Sequence, residues 1–222
     1  MSERLVIPER AQAERELSVA HPWWQFSARF NVAVAQRVPV ARMHGAESEG
    51  VMMRWGLVPA AAKDDPAPPR YAHLRSDRLQ SSTDFRTAWI SGQRGIVPLA
   101  GFYLWQSTAA GYRQPYYVHL SNRNVFGVAV LWERSESDDD DVVERCALLT
   151  VPANPLLARI DPTTDQMPAI LRRQNYDTWL RSNVSEASGL LETYPENRMA
   201  SHPVAPYVND LHFDEPRLIQ PA

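Results

Sequence analysis

The stretch HLRSD, residues 73–77, gathers an imidazole, a guanidinium and a carboxylate within five residues. Such a set could move protons, with His73 as a base beside Asp77, or hold a phosphate on the fork of Arg75. The plainer alternatives are a polar loop residue for His73 and an ion pair between Arg75 and a neighbouring carboxylate. Asp77 and Asp165 could also cap helices. A thiol nucleophile is harder to find. Cys146 is the single cysteine. Its neighbours in RCALLTV are apolar, which suits a small buried hydrophobe. It can form no internal disulfide. The six histidines are scattered, without the Cys/His spacing of a zinc site, so neither metal nor cofactor is expected. In GFYLW, residues 101–105, Leu104 lies between Tyr103 and Trp105. Leucine has no proton to give and no lone pair to accept one. Trp55, in RWGLVP, reads as core or as a stacking platform for a base. Asn31, in RFNVA, reads as holding its turn's backbone or as a nucleic-acid contact.

These residues need a scaffold, and 222 residues with 44% hydrophobic content can bury a substantial core. No apolar run approaches the ~20 residues of a membrane span. The start, MSERLVIPER, lacks the basic-then-apolar layout of a signal peptide, so a cytoplasmic protein is expected. RFNVAVAQRVPVARM (29–43) and GVMMRWGLVP (50–59) alternate as strands do. Further strands are expected at GIVPLAGFYLW, QPYYVHL, VFGVAVLWE and ERCALLTVP. Helices are expected at 9–20, 81–93, RRQNYDTWLRS and SEASGLLETY, with one or two helical turns at ANPLLARI. The tail, MASHPVAPYVND, reads as extended. Strands and helices mix without regular βαβ alternation, which gives an α+β class in one domain over 1–222.

The net charge of −3 gives no overall pull toward nucleic acid. The charge is uneven, however. From Arg29 to Arg113, ten arginines and Lys63 face six acids, a local net of +5. Arginine suits bidentate phosphate contacts, though a compositional bias would produce the same count. The acidic segment 133–144, ERSESDDDDVVE, reads as a solvated surface loop.

RFNVA, MRWGLVP, FRTAW, GFYLW, QPYYV, VAVLWE, LLTVPANPLLARI, DQMPAIL, TWL and MASHPVAPYVN resemble, in order and spacing, segments of the SRAP family. These are the SOS-response-associated peptidase-like proteins that handle abasic sites in single-stranded DNA. The resemblance covers Arg29 to the C-terminus and implies a strongly curved, partly barrel-like β-sheet flanked by helices. It also implies a chemistry. An N-terminal Cys, exposed by removal of the initiator Met, attacks the ring-opened sugar aldehyde through its amine and thiol and forms a thiazolidine. A Glu, an Asn and a His serve the pocket.

At the positions implied by the resemblance, this chain carries other residues. Ser2 stands where the Cys is expected, His73 at the Asn, Leu104 at the Glu and Thr164 at the His. Arg75 is retained, Asp77 replaces a Glu, and Gln166 replaces an Arg after an insertion near Pro162–Thr163. AAAK (60–63) replaces the bulky aromatics that can wedge against bases, and Val34 replaces a turn proline. The short distance from Met1 to RFNVA suggests a lost N-terminal strand or a misassigned start. A general acid or base typically supplies ~10²–10⁴-fold in rate, and a Ser hydroxyl without an activating base is a weak nucleophile. The expectation is a degenerate, non-catalytic member that keeps affinity for single-stranded or abasic DNA, with no membrane or metal partner. Two alternatives are an active crosslinking enzyme or autopeptidase, with a different start or a site rebuilt around Ser2, His73 and Asp77, and a partner-binding protein with no DNA role. The sequence does not give the oligomeric state.

Overall fold

The structure is a computed structural model that describes residues 3–58, 71–109, 111–136 and 142–222. The N-terminal strand is present. RLVI forms β1 (Arg4–Ile7), with Leu5, Val6 and Ile7 buried. Three consecutive buried apolar residues are what a strand covered on both faces needs: Leu5 and Ile7 meet one apolar cluster and Val6 another. β1 lies between two partners, pairing Leu5 with Val32 on one side and with Phe102 on the other. Helix α1 (Arg10–Leu17) follows and stops at Ser18, which turns left-handed at φ 51°.

The alternating run 29–43 folds as two strands. After the short β2 (His21–Pro22) come β3 (Arg29–Ala33) and β4 (Arg37–His44), separated by a turn at 34–36. Ala35 takes the left-handed conformation there, at φ 73°. Its N–H donates to Trp55 O at 2.8 Å, and the Trp55 N–H donates to Gln36 O at 2.8 Å. These bonds tie the turn to β5 (Glu47–Trp55). Residues 73–75 form β6 (His73–Arg75), where a loop motif was expected. The helix expected over 81–93 is reduced to α2 (Arg86–Ile90).

The apolar run GIVPLAGFYLW is divided between two sheets. β7 (Arg94–Leu99) and β8 (Gly101–Ser107) meet at Ala100, where the chain passes from one sheet to the other. A Cβ at Gly101 would lie 2.3 Å from the Tyr117 ring and 2.6 Å from Val118 O, so only glycine admits the neighbouring strand that closely. That neighbour is β9 (Arg113–Leu120).

The expected acidic loop over 133–144 is mostly hairpin. β10 (Phe126–Glu136) and β11 (Val142–Pro152) pair in register out to Glu136 and Val142. The acids at each end of the segment therefore sit on paired strands, and 137–141 lie outside the described residues. The chain continues through α3 (Pro155–Ile160), β12 (Gln166–Pro168), α4 (Tyr176–Arg181), α5 (Val184–Ser188) and β13 (Met199–Pro203). In α3, Asn154 caps the start by accepting from Leu157 N at 3.1 Å.

One sheet runs β13-β9-β8-β1-β3. The other runs β12-β11-β10-β7-β4-β5-β2, with β6 also on β11. A parallel pairing of β5 with β11, Arg54 opposite Arg145 and Trp55 opposite Cys146, closes a ring of five strands. The main core draws on both sheets: Leu5, Phe102 and Leu104 pack with Val97, Val130 and Leu148. The architecture is α+β, dominated by curved sheet. No described helix is long and apolar enough to cross a membrane.

Candidate functional site

β11 organises the positions singled out by the sequence. β6 and β12 pair with its two edges at the same place: Arg75 and Pro168 both stand opposite Thr150. Thr150 is buried, and its hydroxyl donates to Gln166 Oε1 at 2.8 Å. Gln166 thus serves the interior, and its Nε2 turns back to Asp165 O at 3.0 Å. Thr164 is also buried, with its hydroxyl on Gln166 O at 3.1 Å. The insertion before it forms a turn closed by Asp161, whose Oδ1 accepts from Thr163 N at 3.0 Å and Thr163 Oγ1 at 2.6 Å.

Arg75 takes the ion-pair arrangement. Its guanidinium forks onto Asp77 at 3.1 and 3.0 Å and reaches Asp165 at 2.6 Å. Hydrogen bonds to Asp77, then to Asp165, raise the arginine further above its usual range. Arg75 in turn holds the Asp77 carboxyl below the usual carboxylate range. The trio is at the surface and carries one net negative charge. A phosphate at Arg75 would have to displace two carboxylates. His73 is half-buried, edge-on to Trp55 with ring centroids 5.6 Å apart.

Leu104 lies on β8 opposite Tyr116 and is 2% exposed. Strand alternation puts it on the same face as Phe102, toward the main core. Tyr103 and Trp105 face the other way, onto a second apolar cluster with Val6, Val204 and Val208. Trp105 is half-buried, and its indole N–H donates to Asn209 Oδ1 at 2.8 Å. Arg113 places its guanidinium 5.9 Å from the Trp105 ring centroid, a cation–π distance. Glu3, Arg4, Trp105, Arg113 and Asn209 line an open pocket of about 470 Å³. Burial lowers the pKa of Arg4, opposed by the charge of Glu3, but the guanidinium stays charged at neutral pH. The pocket thus sets two cations, an indole and an amide beside the Glu3 carboxylate.

Two further sequence candidates are internal. Trp55 is fully buried, and its indole N–H donates to Ala72 O at 2.9 Å. It offers no free face to a base. Asn31 is buried, and its Nδ2 serves Val208 O, Asp210 O and Phe213 O at 3.0–3.1 Å. It fastens the C-terminal segment rather than its own turn. Cys146 is wholly buried, and desolvation pushes its thiol well above the ordinary range. Ser2 and AAAK (60–63) lie outside the described residues. Among those described, no group of three or more His, Cys, Asp or Glu could hold a metal ion. The Arg4–Trp105–Arg113 pocket was not singled out in the sequence. Its one signal was the strand period in GFYLW, which puts Trp105 opposite in sense to Leu104.

The profile of a family described as SOS response associated peptidase (SRAP) matches residues 2–211. Among curated proteins, the chain is 27% identical over 202 residues to the abasic site processing protein YoqW of Bacillus subtilis (strain 168), covering 90% of this chain and 88% of that one. It is 29% identical over 202 residues to the abasic site processing protein HMCES of Gallus gallus, covering 78% of this chain and 58% of that protein. Among solved structures, a protein from Bordetella bronchiseptica superposes with a TM-score of 0.77 at 22% identity, covering 92% of this chain and 100% of that one. This last likeness speaks to the fold alone.

Proposed function

The chain belongs to the SOS response associated peptidase (SRAP) family, and on that basis we propose that it holds single-stranded or abasic DNA without bonding to it covalently. Its relatives bear the name abasic site processing proteins, which supports a role in DNA damage. The observation that carries the non-covalent part is Leu104. At the place where the family resemblance expects a carboxylate, the side chain is 2% exposed and packed in the main core. It can neither take a proton from an attacking amine or thiol nor return one to the sugar oxygen.

The neighbouring groups agree with this reading. Thr164 spends its hydroxyl on a backbone carbonyl. The Asp77 carboxylate is committed to Arg75, which counts against a site rebuilt around Ser2, His73 and Asp77. The one thiol, Cys146, is enclosed in the core. One concavity open to a ligand is the pocket of Glu3, Arg4, Trp105, Arg113 and Asn209. Cations for phosphates beside an aromatic face for a base are the ingredients of single-strand binding. A single domain in the cytoplasm completes the reading.

The test is to incubate the protein with single-stranded DNA carrying one abasic site and resolve the mixture on a denaturing gel. No protein-linked band is expected. A band that survives denaturation overturns the non-covalent reading. On a native gel at low salt, where phosphate contacts are strongest, intact single strands should shift. Their failure to shift overturns DNA binding.

A further inference from the structure

At the end of β1 away from the Arg4 pocket, a second concave region lies between α1 and the loop 121–125 that joins β9 to β10. It has two adjoining parts. The first, of about 350 Å³, is lined by apolar Ile7, Phe30 and Ile219, by Tyr117 and His119, and by Glu9. The Tyr117 and His119 rings stack with centroids 5.3 Å apart. The second part, of about 560 Å³, is lined by Arg15, Glu16, Arg123 and Arg173. Gln12, Arg123 and Asn124 belong to both.

Three guanidiniums and one carboxylate meet in the second part, and the carboxylate is engaged by the protein itself. Glu16 is buried and accepts from Arg123 and from the Tyr176 hydroxyl, the latter at 2.8 Å. That hydroxyl in turn accepts from Gly127 N at 2.6 Å. Arg123 therefore neutralises Glu16, and Arg15 and Arg173 remain. Both are exposed. Arg173 crosses to α1 and donates to Arg15 O at 2.9 Å, which brings the two side chains to one concavity. Among the described residues, no carboxylate lies in ion-pair reach of either. The other acids nearby on these elements have partners: Glu14 accepts from the Trp24 indole and lies 3.6 Å from Arg10, and Asp177 pairs with Arg181. The acids of β10 begin at Glu133, ~20 Å along the strand from Val125. Two arginine forks without a counter-charge suit a phosphate, which they can bind in bidentate fashion.

The apolar part asks for more than a bare anion. Apolar and aromatic walls with a few polar groups suit a flat organic ring. Glu9 adds an acceptor for N–H donors on that ring, and among the described residues no cation pairs with it. From Glu9 to Arg15 is ~9 Å of helix axis at 1.5 Å per residue. A ligand that spans this distance carries ring N–H groups at one end and a phosphate at the other. We propose that this region binds a nucleoside 5′-phosphate, free or as the 5′ end of a strand. The base lies against Ile7, Phe30 and the Tyr117–His119 stack with its donor edge toward Glu9, and the phosphate lies on Arg15, Arg123 and Arg173. The site shares no residue with the Arg4 pocket, so the inference does not rest on the DNA-binding reading above.

The test titrates the full chain at low salt, by calorimetry, with deoxyguanosine monophosphate, deoxyguanosine and inorganic phosphate. The nucleotide should bind more tightly than either fragment. Arg15→Gln with Arg173→Gln should weaken it about tenfold or more, the worth of a lost charge-assisted hydrogen bond. Both side chains are exposed, so the melting temperature should hold; if it does not, Arg15→Gln alone carries the test. Glu9→Gln should narrow the preference for deoxyguanosine monophosphate over thymidine monophosphate, whose base offers fewer N–H donors. Trp105→Ala should leave nucleotide binding unchanged. A second arm measures anisotropy of one labelled oligonucleotide with a 5′-phosphate or a 5′-hydroxyl. A preference for the phosphate that the arginine pair abolishes, without binding of the free nucleotide, makes the strand end the ligand. The inference is overturned if neither the nucleotide nor the 5′-phosphate is recognised. It is also overturned if the arginine pair leaves recognition intact, or if Trp105→Ala removes it. None of these results bears on the binding of undamaged strands at the Arg4 pocket.

Discussion

The two faces of β8 share one backbone and have opposite fates. Phe102 and Leu104 point into the main core and are dry. Tyr103 and Trp105 point the opposite way, Tyr103 buried in a second cluster and Trp105 half-buried, and beside Trp105 stand Arg4, Arg113 and Asn209. With a period of two, exchanging every second residue rewrites one face and leaves the other intact. A carboxylate on the inner face needs a wet or charged pocket to stay ionised; a leucine there needs only packing. Reactivity can therefore be lost at one position at no cost to the fold, while the opposite face keeps the surface proposed to meet DNA.

The comparison breaks most readily at Leu104. Leu104→Glu buries a carboxyl in the core and should destabilise by about 4–6 kcal/mol at pH 7.5. Burial raises the folded-state pKa of the new carboxyl above its unfolded value. The penalty is therefore small at pH 4 and grows as pH rises toward the folded pKa. Urea titrations at several pH values check this. A stable, pH-insensitive variant would mean that the inner face is not dry.

Asn31→Ala comes next, because it holds in place the segment bearing Asn209. Three carbonyls lose their donor, at a cost of about 2–3 kcal/mol. Limited proteolysis should then cut first within 204–222. Trp105→Ala addresses the outer face directly. It should weaken single-strand binding by about 1–3 kcal/mol, the worth of one stacked base, with a melting temperature lowered only modestly. Unchanged anisotropy would move the DNA off this face.

Arg75→Gln should have the smallest effect, since its ion pairs are at the surface. Arg75 holds the Asp77 pKa below its unfolded value. The stability Asp77 contributes is present above the ordinary Asp range and lost as pH falls through the depressed value. In the variant that acid-side dependence disappears, and an NMR titration of the Asp77 carboxyl moves back up.

Long alternating runs were legible as strands, and the apolar context of Cys146 announced its burial. What the sequence hid has one physical cause: hydrogen-bond partners supplied from far away. β6 has three residues and no pattern of its own, and it is a strand because β11 offers an edge at Leu148–Thr150. The run 95–105 is apolar without a break, and nothing local says that Ala100 hands the chain to a second sheet. The short N-terminus suggested a lost strand or a misassigned start, yet RLVI finds two neighbours, and the second, on β8, is about a hundred residues away. The site followed the same rule. Leu104 could be placed from its flanking aromatics. The pairing of Arg75 with Asp165, 90 residues on, could not, nor could the meeting of Arg54 with Arg145. The local excess of arginine was visible; strand order decided which arginines became neighbours.

The fastening of Asn31 and Asp214 has a consequence for how the protein is made. Asp214 accepts from Asn31 N at 3.1 Å across 183 residues of sequence, while Asn31 holds the carbonyls of Val208, Asp210 and Phe213. A ribosome adds about 5–20 residues per second, so β3 waits many seconds for the segment that seals it. Until 208–214 leave the exit tunnel, the buried Asn31 amide and the N–H groups beside it have no protein partner. The nascent chain therefore holds an open, polar-lined edge while the intervening residues are made. The outer face of β8, the one proposed to meet DNA, is completed only after residues 208–214 have emerged.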